Sequence, residues 1–231
     1  MPDHEEIYRR HAAEYEELVS REDYQGNLLP ALEKIVPFRG LDVVDFGAGT
    51  GRLTGLLAPL VKSIRAYDLS AHMLEVAVAR LRGMGLKNWS VAAADSRCVP
   101  AETASADVAI AGWSLCYIAT KNPEPELRRA LAEMERVRQP GGTVILIETL
   151  GTGFTEPHPP DKLATYFSHL TKKGFQQAWI RTDYRFRDRA EGERLARFFF
   201  GNETASKIVE DGRGVILPEC TGLWWRHGRR I

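Results

Sequence analysis

A chain of 231 residues, 44% apolar and 27% charged, can bury one sizeable core and is too apolar to stay disordered. Its 31 basic residues balance 31 acidic ones, so the basic excess that supplies most nucleic-acid affinity is missing. No run approaches the roughly 18 consecutive apolar residues of a membrane span. The three cysteines, Cys98, Cys116 and Cys220, have neither metal-ligand spacing nor the even count of a disulfide framework. The opening MPDHEEIYRRH is acidic and then mixed, unlike a secretory signal, so the expected location is cytoplasmic.

In chain order, residues 4–22 set Ile7, His11, Tyr15 and Leu18 at helical spacing, which predicts one helix. A second helix runs from Asn27 to Val36 and stops before Pro37. LDVVDF (41–46) reads as a buried strand, followed by a glycine-rich loop and a helix through RLTGLLAPL. SIRAYD (63–68) is a second strand, and Ser70 is placed to cap the helix AHMLEVAVARL. NWSVAAAD (88–95), ADVAIAGW (106–113) and TVILIET (143–149) continue the strands, with a helix over 127–137 before the last. This rhythm predicts a doubly wound, Rossmann-like α/β fold, a mostly parallel sheet with helices on both faces.

After Leu150 the glycines and prolines of GTGFTEPHPP mark a loop, and DKLATYFSHLTKKG a short helix. Residues 151–177 are therefore expected as a lid-like insertion. WIRTDYRF (179–186) reads as one strand, 188–200 as a helix and VILPECTGLWWR as a closing strand in which Pro218 suits an edge or bulge. Without repeats or low-complexity segments, a single domain over 1–231 is expected, with a helical cap at about 1–36.

The glycine loop carries the functional argument. Asp45 is followed by Gly47, Gly49 and Gly51, and then by a helix. Glycines let the backbone approach a ligand, and a helix start offers unpaired N–H groups. Position 52 is Arg, so the dinucleotide fingerprint GxGxxG fails and the pattern is DxGxGxG. Asp68 and Asp95 end the next two predicted strands, where open α/β sheets bind their ligands, and an acid after the second strand suits a ribose diol.

VVDFGAGTGRLT, AYDLSAHMLEVA, AAADS, DVAIAGWSLCYI and VRQPGGTVILIE, in that order, resemble the motifs of class I S-adenosylmethionine-dependent methyltransferases. The resemblance covers residues 41–149 and implies a seven-stranded sheet with an antiparallel C-terminal strand. It implies S-adenosyl-L-methionine as cofactor and S-adenosylhomocysteine as product. By the same resemblance, Gly47, Ala48 and Gly49 pack against the methionine part and Asp45 helps hold its amino group. Asp68 takes the ribose hydroxyls, Leu69 and Met73 flank the adenine, and Asp95 with Ser96 reads its edge. Trp113 lines the approach to the sulfonium, and Tyr15 or Tyr8 of the first helix covers it.

The reaction implied is direct in-line methyl transfer to a small-molecule acceptor, without a metal. Candidate bases or anchors are Glu148, His158, His169, Tyr117, Tyr166, Asp183 and Glu219, and sequence does not choose among them. Arg181, Arg185, Arg187 and Arg189 alternate with acids, which suits a solvated face better than a nucleic-acid surface. The readings left beside this one are a non-catalytic S-adenosylmethionine-binding module, an RNA or protein methyltransferase, and a nicotinamide-dependent oxidoreductase. The methyl acceptor and the oligomeric state are not legible.

Overall fold

The computed structural model of the chain describes residues 4–121 and 123–229. The expected first helix is two, α1 (His4–Arg10) and α2 (Ala12–Val19), separated at His11, whose φ of −127° and ψ of 36° leave the helical range. Tertiary contacts override helix propensity there. Ile7 and Leu18 both enter one apolar cluster, while the Tyr8 carbonyl is held by the Ser70 hydroxyl at 2.8 Å. Next comes α3 (Leu28–Ile35).

Strands and helices then alternate as the pattern predicts. They are β1 (Asp42–Phe46), α4 (Arg52–Leu57), β2 (Ser63–Asp68), α5 (Ala71–Gly83) and β3 (Trp89–Ala93). Next are β4 (Ala106–Gly112), α6 (Leu115–Lys121), α7 (Pro123–Val137) and β5 (Arg138–Thr152). Ser70 caps α5 by accepting from the Met73 N–H, as its position foretells.

Successive side chains of a strand point to opposite faces, and the core divides accordingly. Val44, Phe46, Ala109, Val144 and Leu146 meet α6, α7 and the later α8 (Ala164–Lys172) on one face. Val43, Ile64, Val108, Ile110, Ile145 and Ile147 meet α3 and α4 on the other. Covered on both sides, β1 and β4 are continuously buried over 43–46 and 108–111, with Asp45 the one acid inside these stretches.

Both predicted C-terminal strands are broken, and the breaks face each other. WIRTDYRF splits into β6 (Gln176–Arg181) and β7 (Tyr184–Phe186), with Thr182 and Asp183 between them. After α9 (Arg189–Phe200) and α10 (Asn202–Ala205), VILPECTGLWWR divides at Pro218 between β9 (Gly214–Leu217) and β10 (Glu219–His227). Proline has no N–H to give to a ladder, so the chain changes sheets there. The Thr182 N–H bonds the Glu219 carbonyl at 3.0 Å, and the Asp183 carboxylate accepts the Glu219 N–H at 2.9 Å.

The main sheet runs β3-β2-β1-β4-β5-β10-β6, and β7-β9-β8 forms a small second sheet, with β8 at Val209–Asp211. Strands β1 to β5 pair in parallel, while β10 is antiparallel to β5 and β6. The strand order reverses at β1 and β4, the place where such sheets open a crevice at their carboxyl ends. Among the described residues no helix is long and apolar enough to cross a membrane.

Trp224 of β10 is fully buried and stacks on Phe167 at 4.6 Å. Trp224→Ala is expected to cost about 3–5 kcal/mol of unfolding free energy in a urea titration, through lost transfer energy and a cavity. A loss under about 1 kcal/mol would mean that the site collapses without penalty.

Candidate functional site

The crevice begins where β1 ends. Gly47, Gly49 and Gly51 have φ of 71°, 55° and 78°, a region that residues with a Cβ rarely adopt. A Cβ on Gly47 would also lie 2.4 Å from the Ser114 Cβ. β2 braces this loop. The N–H groups of Gly47 and Ala48 both donate to the Tyr67 carbonyl, at 2.7 and 2.9 Å. The Gly49 N–H donates to Asp68 Oδ2 at 2.8 Å, and Asp68 Oδ1 accepts the Ser70 N–H at 2.8 Å. Burial raises the Asp68 pKa, and these two bonds oppose the rise.

Asp45 lies beneath the loop, fully buried, and accepts the Thr54 hydroxyl at 2.7 Å. Its Oδ1 and the Thr50 hydroxyl are buried without a partner. Burial pushes the Asp45 carboxyl up to about 7, with the charge of Asp68 adding to the effect. Met73 is buried, its methyl 3.5 Å from where a Gly49 Cβ would stand, and Leu69 beside Asp68 is 75% exposed. Thus Asp45, the glycines, Asp68, Leu69 and Met73 come together.

Asp95 is engaged elsewhere. Its carboxylate forms a two-point ion pair with Arg97 (Nε to Oδ1 2.8 Å), which lowers its pKa. Ser96 sits inside that turn, closed by the Cys98 N–H on the Asp95 carbonyl at 2.8 Å. The same turn edges an open hollow of about 610 Å³ lined by Arg97, Cys98, Arg129, Glu133 and Arg136. That hollow contains no residue of the glycine loop, and Arg97, Arg129 and Arg136 each pair with an acid. The chemistry points to the loop instead.

On the β4 side, Trp113 holds φ at 49°, an uncommon conformation for a bulky residue, and its N–H donates to the Ile147 carbonyl at 2.6 Å. The Arg52 guanidinium lies over the Trp113 ring at 4.4 Å. Arg52 also pairs with Glu22 at 2.5 Å, and Glu22 accepts the Tyr184 hydroxyl at 2.9 Å and the Thr182 hydroxyl at 3.0 Å. Tyr15 packs edge-on to Tyr8 at 5.4 Å, and the Tyr8 hydroxyl meets that of Tyr117 at 2.5 Å. Sequence reasoning missed Arg52, Glu22, Tyr184 and Thr149. Only Arg52 carried a signal, its place directly after the third glycine.

Two of the candidate bases are buried carboxyls, Glu148 within β5 and Glu219 at the start of β10. Glu148 Oε1 accepts the Cys116 N–H at 3.0 Å and the Tyr166 hydroxyl at 3.3 Å, and burial pushes its pKa up to about 7. Glu219 Oε1 accepts the Thr149 hydroxyl at 2.7 Å. Its own burial, then the charge of Glu22, push it up to about 8. Each keeps one buried oxygen without a partner. Asp183 is spent on Arg181 and the Glu219 N–H, and His158 is exposed and stacked on Phe154. His169 lies on α8, half-buried. The arginines of this half pair with acids: Arg181 with Asp183, Arg187 with Asp188, Arg189 with Glu193. Arg185 stacks on Tyr24 at 4.7 Å.

Residues 44–146 match the family model described as a methyltransferase domain. The demethylmenaquinone methyltransferase of Lactococcus lactis is 28% identical over 151 residues, 63% of this chain and 58% of the relative. The chain spans less than two thirds of the length of this curated relative. A crystal structure of a Bacillus halodurans protein assigned as a candidate methyltransferase aligns with a TM-score of 0.59 at 18% identity, covering 88% of this chain and 99% of that one. A SAM-dependent methyltransferase from Aquifex aeolicus aligns at 0.57 and 17% identity, over 86% of this chain and 88% of that one. These structures share the fold.

The buried carboxyls make stability depend on pH. A free glutamate titrates near 4.3 and Glu148 in the folded chain at about 7, so the native state keeps a proton that the unfolded state releases. Stability therefore falls as pH rises between those values and levels above them. Glu148→Gln should gain on the order of 1–3 kcal/mol over the natural chain at about pH 8 and nothing at about pH 4. Denaturation midpoints at the two pH values check this, and an equal gain at both would refute it.

Proposed function

We propose that this chain, which belongs to the class I S-adenosylmethionine-dependent methyltransferase family, methylates a small-molecule acceptor by direct in-line transfer. One observation carries the reading. The Gly49 N–H on Asp68 Oδ2 joins a ligand-approaching loop and a diol-binding acid into one preformed unit. The remaining groups fit the family's cofactor, S-adenosylmethionine. Asp68 keeps lone pairs for the ribose hydroxyls, and exposed Leu69 with Met73 gives the adenine an apolar surface. Asp45 offers an unpartnered oxygen beneath Gly47 and Gly49, suited to the amino group directly or through water. Asp95 and Ser96 reach the adenine edge once Arg97 yields, and Trp113 and Tyr15 line the approach.

When bound, the cofactor supplies a methyl group on a positively charged sulfur. The chain's own residues then have one main task, holding two reactants at about 3–3.5 Å and in line, which contributes several kcal/mol. The helices α1 and α2 act as a cap, and residues 151–177 as a lid over the acceptor. The name of the Lactococcus relative supports a small organic acceptor. So do the balanced charge and the paired arginines.

Calorimetry with S-adenosylhomocysteine and NAD in parallel tests the proposal: the first should bind and the second should not. Asp68→Ala should weaken S-adenosylhomocysteine roughly 10- to 100-fold, since hydrogen bonds to a charged group contribute about 1.5–3 kcal/mol. Unchanged affinity removes Asp68 from the site. Binding without turnover of any acceptor would leave a cofactor-binding module.

A further inference from the structure

We propose that Glu219 takes the proton of the methyl acceptor, and that the acceptor is an uncharged phenol or enol whose hydroxyl is presented to Glu219 Oε2. The proposal rests on the methyl-transfer reading above. Its ground is position. Loop, Asp45 and Asp68 occupy the β1–β2 side of the crevice, so the β4–β5–β10 side is left for the second substrate. Trp113 ends β4, Thr149 lies two residues beyond Ile147 on β5, and Glu219 opens β10 opposite Thr152. Thr149 and Thr221 are register partners that continue the Ile147 and Leu223 face, and Glu219 is tied to it by the Thr149 hydroxyl.

Glu219 is 2% exposed, yet its Oε2 has no partner. A buried carboxyl oxygen left bare costs stability, and a substrate hydroxyl would satisfy it. Glu148 also has a bare oxygen, but it lies on the opposite face against Cys116 and Tyr166. The cluster reaches the surface through half-buried Trp113 and the Arg52 side chain, 17% exposed. The charged and titratable groups facing Glu219 are Glu22, Arg52, Tyr184 and Cys220, with Asp183 on its N–H. In the ionised form that acts as the base, Glu219 and Glu22 outweigh Arg52, so the cluster repels an anionic acceptor and favours the neutral hydroxyl over its phenolate.

The chemistry narrows the class. A carboxyl raised to about 8 can deprotonate a phenol or enol, near 10, at modest cost, whereas an aliphatic alcohol is far out of reach and an aliphatic amine is an ammonium ion whose charge is costly to bring into a buried site. In the step, the hydroxyl O–H breaks and its proton goes to Glu219 Oε2. A bond from the acceptor oxygen, or its conjugated carbon, to the methyl carbon forms. The sulfur–methyl bond breaks, its electron pair stays on sulfur, and Glu219 later gives the proton to water.

The experiment follows turnover of 2-naphthol, with benzylamine as the amine control, from pH 6 to 10. For the natural chain, kcat with 2-naphthol should rise with a midpoint near pH 8 and level about one unit above it. Glu219→Gln should lower it by about 10²–10⁴-fold, the usual share of a general base, and abolish the rise. Its affinity for S-adenosylhomocysteine should stay within twofold. Thr149→Val, which keeps the carboxyl but removes one of the two threonine hydroxyls, Thr149 and Thr152, that favour its ionised form, should move the midpoint to higher pH; it serves alone if Glu219→Gln does not fold. An unshifted profile in either variant overturns the proposal, as does a natural chain that binds S-adenosylhomocysteine but methylates benzylamine and not the phenol. A natural chain that does not bind S-adenosylhomocysteine refutes the underlying methyl-transfer reading itself.

Discussion

The hydrogen bond from the Gly49 N–H to the Asp68 carboxylate is the constraint from which the crevice is built. Three glycines in left-handed backbone would otherwise leave the turn after β1 with many conformations to lose. The end of β2 removes that freedom, because Tyr67 and Asp68 take three consecutive N–H groups of the loop. The loop is therefore set before any ligand arrives. The same carboxylate holds the start of α5 through the Ser70 N–H, so the acid, the loop and the next helix share one geometry.

The rim is arranged by the alternation of strand faces. Glu148 lies with Cys116 and Tyr166 under α8, whereas Glu219 lies with Thr149 toward Arg52 and Glu22. Burial raises both carboxyls, and neither has a cation in hydrogen-bonding contact that would draw it back. Arg52 joins the two halves of the crevice. It is the first residue of α4 after the glycine loop, it covers Trp113, and it pairs with Glu22 of the segment after α2. A buried ion pair of this kind is weak evidence of stability, but losing one partner is costly. It ties the segment after α2 to the start of α4, beside Trp113.

Much of this was legible in the chain, wherever the deciding forces are local. Val43 and Val44 split between two cores by strand alternation, Ser70 caps α5, and the glycines take positive φ after β1. Each depends on neighbours within a few residues. Where distant groups decide, the reading failed or stopped. His11 breaks the first helix because Ile7 and Leu18 share a cluster with α9 and Tyr8 is held by Ser70. WIRTDYRF and VILPECTGLWWR alternate well enough for single strands, but Thr182 bonds Glu219 and Asp183 caps it, so both chains change sheets together.

The sequence by itself determined the parallel sheet, the glycine turn and the two acids beside it, because hydrophobic period, glycine spacing and capping act over short stretches. Tertiary structure alone decided that Arg97, the local partner of Asp95, also reaches Glu126 from 29 residues away, that Glu22 meets Tyr184 and Arg52 from 162 and 30 residues away, and that Glu219 keeps a bare oxygen. Ion pairing and desolvation depend on which groups share a volume, and no spacing along the chain encodes that.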